Sequence, residues 1–196
     1  YWVAFLMVVG APPFLLMWFL VHPFTRTWRR LGPAKTYLIL FLFVSAGIAV
    51  LSLFRRPLLQ VHFGVRWPLV VIAAILFAAA MVIGMERWAR LSPAVMIGLP
   101  EVSPERYPPR LITEGIYARI RHPRYVEVAL GLLAMALFSN YLAMYVALAA
   151  YLPLIYLVVL LEERELRERF GEQYEQYCRQ VPRFLPRLFP RKKATP

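Results

Sequence analysis

The sequence predicts an all-α protein: a polytopic bundle of about five membrane-spanning helices, ending in a helical hairpin and a cytoplasmic tail helix. Three observations carry this expectation. Hydrophobic residues make up 60% of the 196-residue chain and charged residues only 17%, more apolar and less charged than a soluble domain. The apolar residues fall in long blocks separated by short basic stretches. None of the blocks alternates apolar with polar residues, as a membrane β-barrel requires, and an open strand leaves its backbone unsatisfied in lipid.

The blocks run from about Trp2 to Val21, Tyr37 to Phe54, Trp67 to Met85, Tyr125 to Phe138 and Tyr141 to Leu161. Most approach the ~20 residues that cross the hydrocarbon core as a helix, and the fourth gains a turn if it starts at Pro123. The chain begins at Tyr1 rather than at Met. Its first block is too long for a plain signal peptide, has no small-residue cleavage site, and is expected to be a span. Between the third and fourth blocks, Glu86 to Arg121 is polar and rich in proline, with Pro100, Pro104, Pro108 and Pro109, and is expected to lie as a loop along the interface. After Leu161 the charged run to Phe170 reads as a helix leaving the membrane. Gly171 marks a break, a short amphipathic helix follows, and Pro182, Pro186 and Pro190 end regular structure. The chain divides into residues 1–110 (spans and interfacial loop), 111–190 (hairpin and tail) and a basic end, 191–196.

The net charge of +12 lies between and after the apolar blocks, where it holds topology and meets anionic headgroups. No nucleic-acid-binding motif accompanies it. The first loop, the third loop and the tail are the most basic. With five spans they share one side, which the positive-inside rule makes cytoplasmic, leaving the N-terminus outside. Arg55, Arg56 and Arg66 fall on the other side. Cys178 is the single cysteine, and His22, His62 and His122 are scattered, so no metal site is expected.

The hairpin is where chemistry concentrates. From His122 to Ser139 is 17 residues and from Tyr141 to Glu162 is 21, so the two legs run ~26 Å and ~32 Å at 1.5 Å per residue. The Ser139-Asn140 link permits only a tight antiparallel turn. Arg121, His122 and Tyr125 must then stand beside Glu162 and Glu163. Pro123 suits the first helical turn, whose free N–H groups favour an anion, and the glutamates favour a cation. A zwitterionic ligand fits across the pair. The plainer alternative is an ion pair clamping two helix ends.

Gly115-Ile116-Tyr117-Ala118-Arg119-Ile120-Arg121-His122-Pro123-Arg124-Tyr125 resembles the G-x-Y-x-x-x-R-H-P-x-Y segment of the isoprenylcysteine carboxyl methyltransferase and phospholipid methyltransferase superfamily. Glu162-Glu163, Leu166, Phe170-Gly171, Tyr174, Tyr177 and Val181-Pro182-Arg183-Phe184 are similar to its tail, and the resemblance covers roughly Leu111 to Pro186. It implies an integral membrane methyltransferase that uses S-adenosylmethionine, releases S-adenosylhomocysteine and acts on a lipophilic acceptor such as a prenylcysteine-like carboxylate, another isoprenoid or a lipid amine. Carried over, Tyr117, Arg121, His122, Pro123, Tyr125, Glu162 and Glu163 are the cofactor-binding candidates, with Arg121 also a catalytic candidate. Glu127 stands where the family commonly has Gly. It is expected either to pair with Arg124 or Arg121, or to act as a substrate contact or proton acceptor. Two alternatives remain: an NADPH-dependent sterol or steroid reductase with a related hairpin, and a non-catalytic membrane protein that kept the hairpin. Partners are membrane lipids and a lipophilic small molecule, with oligomeric state unspecified.

Overall fold

The computed structural model describes residues 1–108 and 110–186; Pro109, Pro190 and the basic end 191–196 lie outside the described residues. The described chain is helical, in the order α1 (Trp2–Val21), α2 (Thr25–Leu31), α3 (Pro33–Leu53), α4 (Arg55–Leu58), α5 (Trp67–Trp88), α6 (Pro93–Met96), α7 (Leu99–Val102), a 3-10 turn (Gly115–Ala118), α8 (Pro123–Ser139), α9 (Leu142–Phe170) and α10 (Glu172–Gln180). Among these, α1, α3, α5 and α9 are long and apolar enough to cross a membrane. Helix α8, the fourth apolar block, has 17 residues and is the short member of the bundle.

The outer faces confirm the solvent. Phe41 on α3 and Ile75 on α5 are 67% and 64% exposed, as are many of their neighbours in kind. Such a surface is stable only where lipid, not water, surrounds it. The protein is an integral membrane protein.

Helix α1 is central, packing on α3, α8 and α9, while α5 packs along α8. Gly47 lets α3 approach α1 closely: a Cβ there would sit 2.8 Å from Pro13 Cγ. One apolar cluster, with Ala4, Val8, Ala136 and Met144, joins α1 to the closed end of the hairpin. A second, with Tyr125, Tyr151, Ile155, Val158 and Val159, fills its middle and open end.

The hairpin turn forms as expected. Asn140 ends α8 with a left-handed backbone (φ 52°), which asparagine tolerates better than most residues. Its side chain donates to the Gly64 carbonyl at 2.7 Å and accepts from the Tyr145 hydroxyl at 2.9 Å. The backbone of residues 61–63 pairs with residues 140–142 and ties the α4–α5 loop to this turn. The tail departs from expectation in one respect. The apolar span and the charged run are one continuous 29-residue helix, broken only at Gly171, where φ is +51°. The stretch after residue 86 also differs: α5 runs on through Trp88, and α6, α7 and the 3-10 turn lie within the loop.

Candidate functional site

The antiparallel hairpin returns the end of α9 to the start of α8. His122 (φ −121°) precedes Pro123 at the first helical position. The tail folds back here: the Arg121 N–H donates to the Pro182 carbonyl at 2.9 Å and the His122 N–H to the Arg183 carbonyl at 3.1 Å. Those two amides precede α8 and have no helical acceptor, so the tail supplies one for each.

Glu163 lies at the centre of this junction with its side chain fully buried. Arg121 Nη2 donates to Oε1 at 2.8 Å, and Arg183 donates from Nε to Oε1 at 2.9 Å and from Nη2 to Oε2 at 2.7 Å. His122 Nε2 stands 3.1 Å from Oε1, and Arg167 Nη2 reaches Oε2 at 3.5 Å. Removal of a carboxylate from water is costly, and this one is compensated from every side. Arg121 is largely committed, because its Nη1 donates to the carbonyls of Val181 and Cys178; its buried Nε has no partner among the described residues.

The neighbouring Glu162 is placed differently. Its side chain is 31% exposed and accepts one hydrogen bond, from the Tyr125 hydroxyl at 2.7 Å. It faces a cavity framed by the ends of α1 and α5, the interfacial segment, the start of α8, the end of α9 and α10. The space measures about 1070 Å³ including its solvent-open mouth. Tyr117, Arg121, His122, Pro123 and Tyr125 also line it; Glu163 does not. The Tyr177 hydroxyl donates to the Tyr117 carbonyl at 2.6 Å, fixing α10 against the 3-10 turn. Burial pushes the Tyr174 and Tyr177 phenols up, so both stay neutral.

Glu127 has neither of its expected partners. Arg87 Nε donates to Glu127 Oε2 at 2.8 Å, across from α5 to α8. The reason lies in packing. Helix α8 lies along α5, and Gly84 leaves the room: a Cβ there would be 2.9 Å from Glu127 Oε1. Arg124 turns to α1 instead, its guanidinium 4.5 Å from the centroid of the Trp18 ring.

The structure thus brings together Tyr117, Arg121, His122, Pro123, Tyr125, Glu162 and Glu163, and sets Glu127 against α5. Four participants were assigned no role from sequence. Arg183 and Arg167 complete the Glu163 cluster. His22 Nδ1 meets Glu165 Oε2 at 3.0 Å, linking α1 to α9 beside the cavity. Arg87 had a usable signal, an ionisable residue at the end of an apolar run, which in membranes marks function or a buried partner. Among the described residues no cluster of His, Cys, Asp or Glu could hold a metal.

A family model described as phospholipid methyltransferase matches residues 68–173, just over half of the chain. The cobalt-zinc-cadmium resistance protein CzcN of Cupriavidus metallidurans is 39% identical over 79 residues, 40% of this chain and 36% of its own. Methanethiol S-methyltransferase 1 of Bradyrhizobium diazoefficiens is 27% identical over 152 residues, 74% of this chain and 52% of its own. Protein-S-isoprenylcysteine O-methyltransferase of Schizosaccharomyces pombe is 34% identical over 77 residues, 39% of this chain and 33% of its own. The chain spans between about a third and about a half of the length of the curated relatives it matches.

Proposed function

This chain belongs to the phospholipid methyltransferase family, and from that membership we propose that it is a membrane methyltransferase using S-adenosylmethionine, with a lipophilic acceptor. One observation carries the reading: the family's paired glutamates divide, with Glu163 building the wall and Glu162 facing the cavity under a single hydrogen bond from Tyr125.

The residues present fit the cofactor. S-adenosylmethionine carries an ammonium, a sulfonium, a carboxylate and an adenine ring. Among the described residues Glu162 is the one carboxylate on the cavity wall and suits a cationic group, while His122 and Arg121, whose buried Nε has no partner among the described residues, suit a carboxylate. Phe170, Tyr174 and Tyr177 present flat surface for a ring. When bound, the cofactor supplies an electrophilic methyl carbon.

The chain's own part is positioning. Tyr125 orients Glu162, which holds the cationic end. His122 stands between the two carboxylates, with Nδ1 3.9 Å from Glu162 Oε2 and Nε2 3.1 Å from Glu163 Oε1, and keeps them apart. Arg121, Arg167 and Arg183 hold Glu163, and the returning tail bonds to the backbone of Arg121 and His122, so the start of α8 on the cavity wall is fixed in place. Displacement at a methyl carbon depends mainly on alignment and exclusion of solvent, so a rigid wall is the appropriate contribution. The basic loops on the cavity's side support a cytoplasmic orientation for it, with the N-terminus outside.

The acceptor classes in the relatives' names differ, a small thiol in one and an isoprenylcysteine in another, so membership alone leaves the acceptor class open. The test is calorimetric titration of the purified chain with S-adenosylhomocysteine, then incubation with methyl-labelled S-adenosylmethionine and a total lipid extract. Saturable binding and a labelled lipid are expected. Binding of NADPH in place of S-adenosylhomocysteine would overturn the reading in favour of a reductase. Binding of neither would leave a non-catalytic membrane protein.

A further inference from the structure

The cavity wall is electrically lopsided. Among the described residues Glu162 is its one carboxylate, against five arginines and two histidines. Most of that positive charge is already spent. Arg121 is held by Glu163 and two carbonyls, Arg169 pairs with Glu165, and the exposed Arg110 turns toward Glu114 at 3.8 Å. Arg87 and Arg124 differ.

Arg87 is nearly buried, its side chain 9% exposed, and its Nε is committed to Glu127. Its two terminal nitrogens have no acceptor among the described residues, yet Arg87 lines the cavity. Arg124 lies over the Trp18 ring, a contact that leaves the edge of the guanidinium free, and no carboxylate among the described residues meets it. Tyr117 adds a third donor. The 3-10 turn that carries it packs on α5, with Gly115 pressed against Arg90, where a Cβ would be 2.8 Å from Nε. Its hydroxyl has no hydrogen-bond partner among the described residues. Burial pushes this phenol up to about 12, so it remains protonated near neutral pH. Arg124 is the second residue of α8, so the free N–H groups of the first turn add partial positive charge on the same side.

Donors without acceptors on a sheltered wall call for an anion, because guanidinium and phenol groups there are costly to leave unpaired. We infer that Arg87, Tyr117 and Arg124 form a subsite for the anionic head, a carboxylate or a phosphate, of an amphiphile whose tail lies along Leu91, Val95 and Ile112. Glu127 is the positioning residue: it holds the Arg87 Nε edge and turns the other edge to the cavity. That this amphiphile is the methyl acceptor rests on the reading of the preceding section. Anion binding itself does not.

The experiment titrates the full chain, in neutral detergent, with dodecanoate, dodecyl phosphate, dodecanol and dodecylamine. At least one of the two anions is expected to bind about tenfold or more tightly than the alcohol and the amine, and which one does so identifies the head. Arg87→Gln and Arg124→Gln are each expected to lose about tenfold in that affinity while the S-adenosylhomocysteine Kd stays within about twofold. Arg124→Gln leaves no buried carboxylate unpaired and keeps the test open if Arg87→Gln does not fold. Equal binding of dodecanol, or anion affinity unchanged in the folded variants, overturns the subsite. A parallel fall in S-adenosylhomocysteine affinity overturns it too, by assigning these donors to the cofactor's carboxylate. If the unaltered chain binds dodecanoate but no S-adenosylhomocysteine, the methyl-transfer reading fails and the anion subsite stands.

Discussion

In the cluster around Glu163, a fully buried carboxylate meets Arg121, His122, Arg167 and Arg183. On the cavity wall beside it, Glu162 accepts one hydrogen bond, from a hydroxyl, with His122 Nδ1 more distant at 3.9 Å, and Arg87 spends one edge of its guanidinium on Glu127. Both regions are polar, lie at the mouth of one hairpin and are built from arginines and glutamates. They differ in saturation. A polar group whose partners all come from the protein has no capacity left for a ligand, so its contribution is to shape. A polar group with unfilled capacity on a sheltered wall is where a ligand gains affinity. The family motif spans both regions, so membership in the motif does not by itself separate ligand contacts from wall.

Breaking the saturated side should produce the largest effect. Glu163→Leu strands the buried Arg121 and the part-buried Arg183, and loss of one partner from a buried pair costs about 3–5 kcal/mol. Thermal unfolding in detergent should show a large fall in Tm, with S-adenosylhomocysteine binding lost alongside. A Tm close to that of the unaltered chain would show that the cluster does not hold the tail. Glu162→Gln makes the opposite cut. The fold should be untouched and S-adenosylhomocysteine affinity should fall roughly tenfold to a hundredfold, the worth of a hydrogen bond to a charged group. If the two variants behave alike, the division between wall and ligand contact is wrong.

Gly84→Ala sharpens the comparison within the cavity. Its new Cβ meets the end of the flexible Glu127 side chain at 2.9 Å, so the carboxylate must shift off Arg87. A stability loss of about 1–2 kcal/mol is expected, the usual cost of modest overpacking. Anion affinity should fall while S-adenosylhomocysteine affinity holds, and a coincident fall in both would place Glu127 against the cofactor. The smallest effect belongs to the exposed pair Arg164–Glu168, one turn apart on α9 at 3.2 Å. Replacing both with alanine should change stability by no more than about 0.5 kcal/mol, since solvent screens such pairs. A larger loss would mean that this face of α9 is covered by something else.

Much of the site was legible in the chain. Lipid leaves a backbone few options, so long apolar blocks become helices whatever their neighbours do. The rise of a helix then makes two legs joined by Ser139-Asn140 return Glu162 and Glu163 to Arg121 and His122, and the ion pairs confirm that meeting. Connection length says less about sideways packing. Helix α8 lies along α5, which precedes it by more than 30 residues of loop, so the partner of Glu127 came from a segment read as polar linker.

The sequence by itself determined the helices, the hairpin and the set of residues that gather at its open end, because each follows from local constraints: backbone satisfaction, helical rise and a turn of two residues. The tertiary structure alone decided which of two adjacent glutamates is enclosed and which faces the cavity. Neighbours on a helix point about 100° apart, and the returning tail with Arg183 on Glu163 and the start of α8 with Tyr125 on Glu162 distinguish one direction from the other.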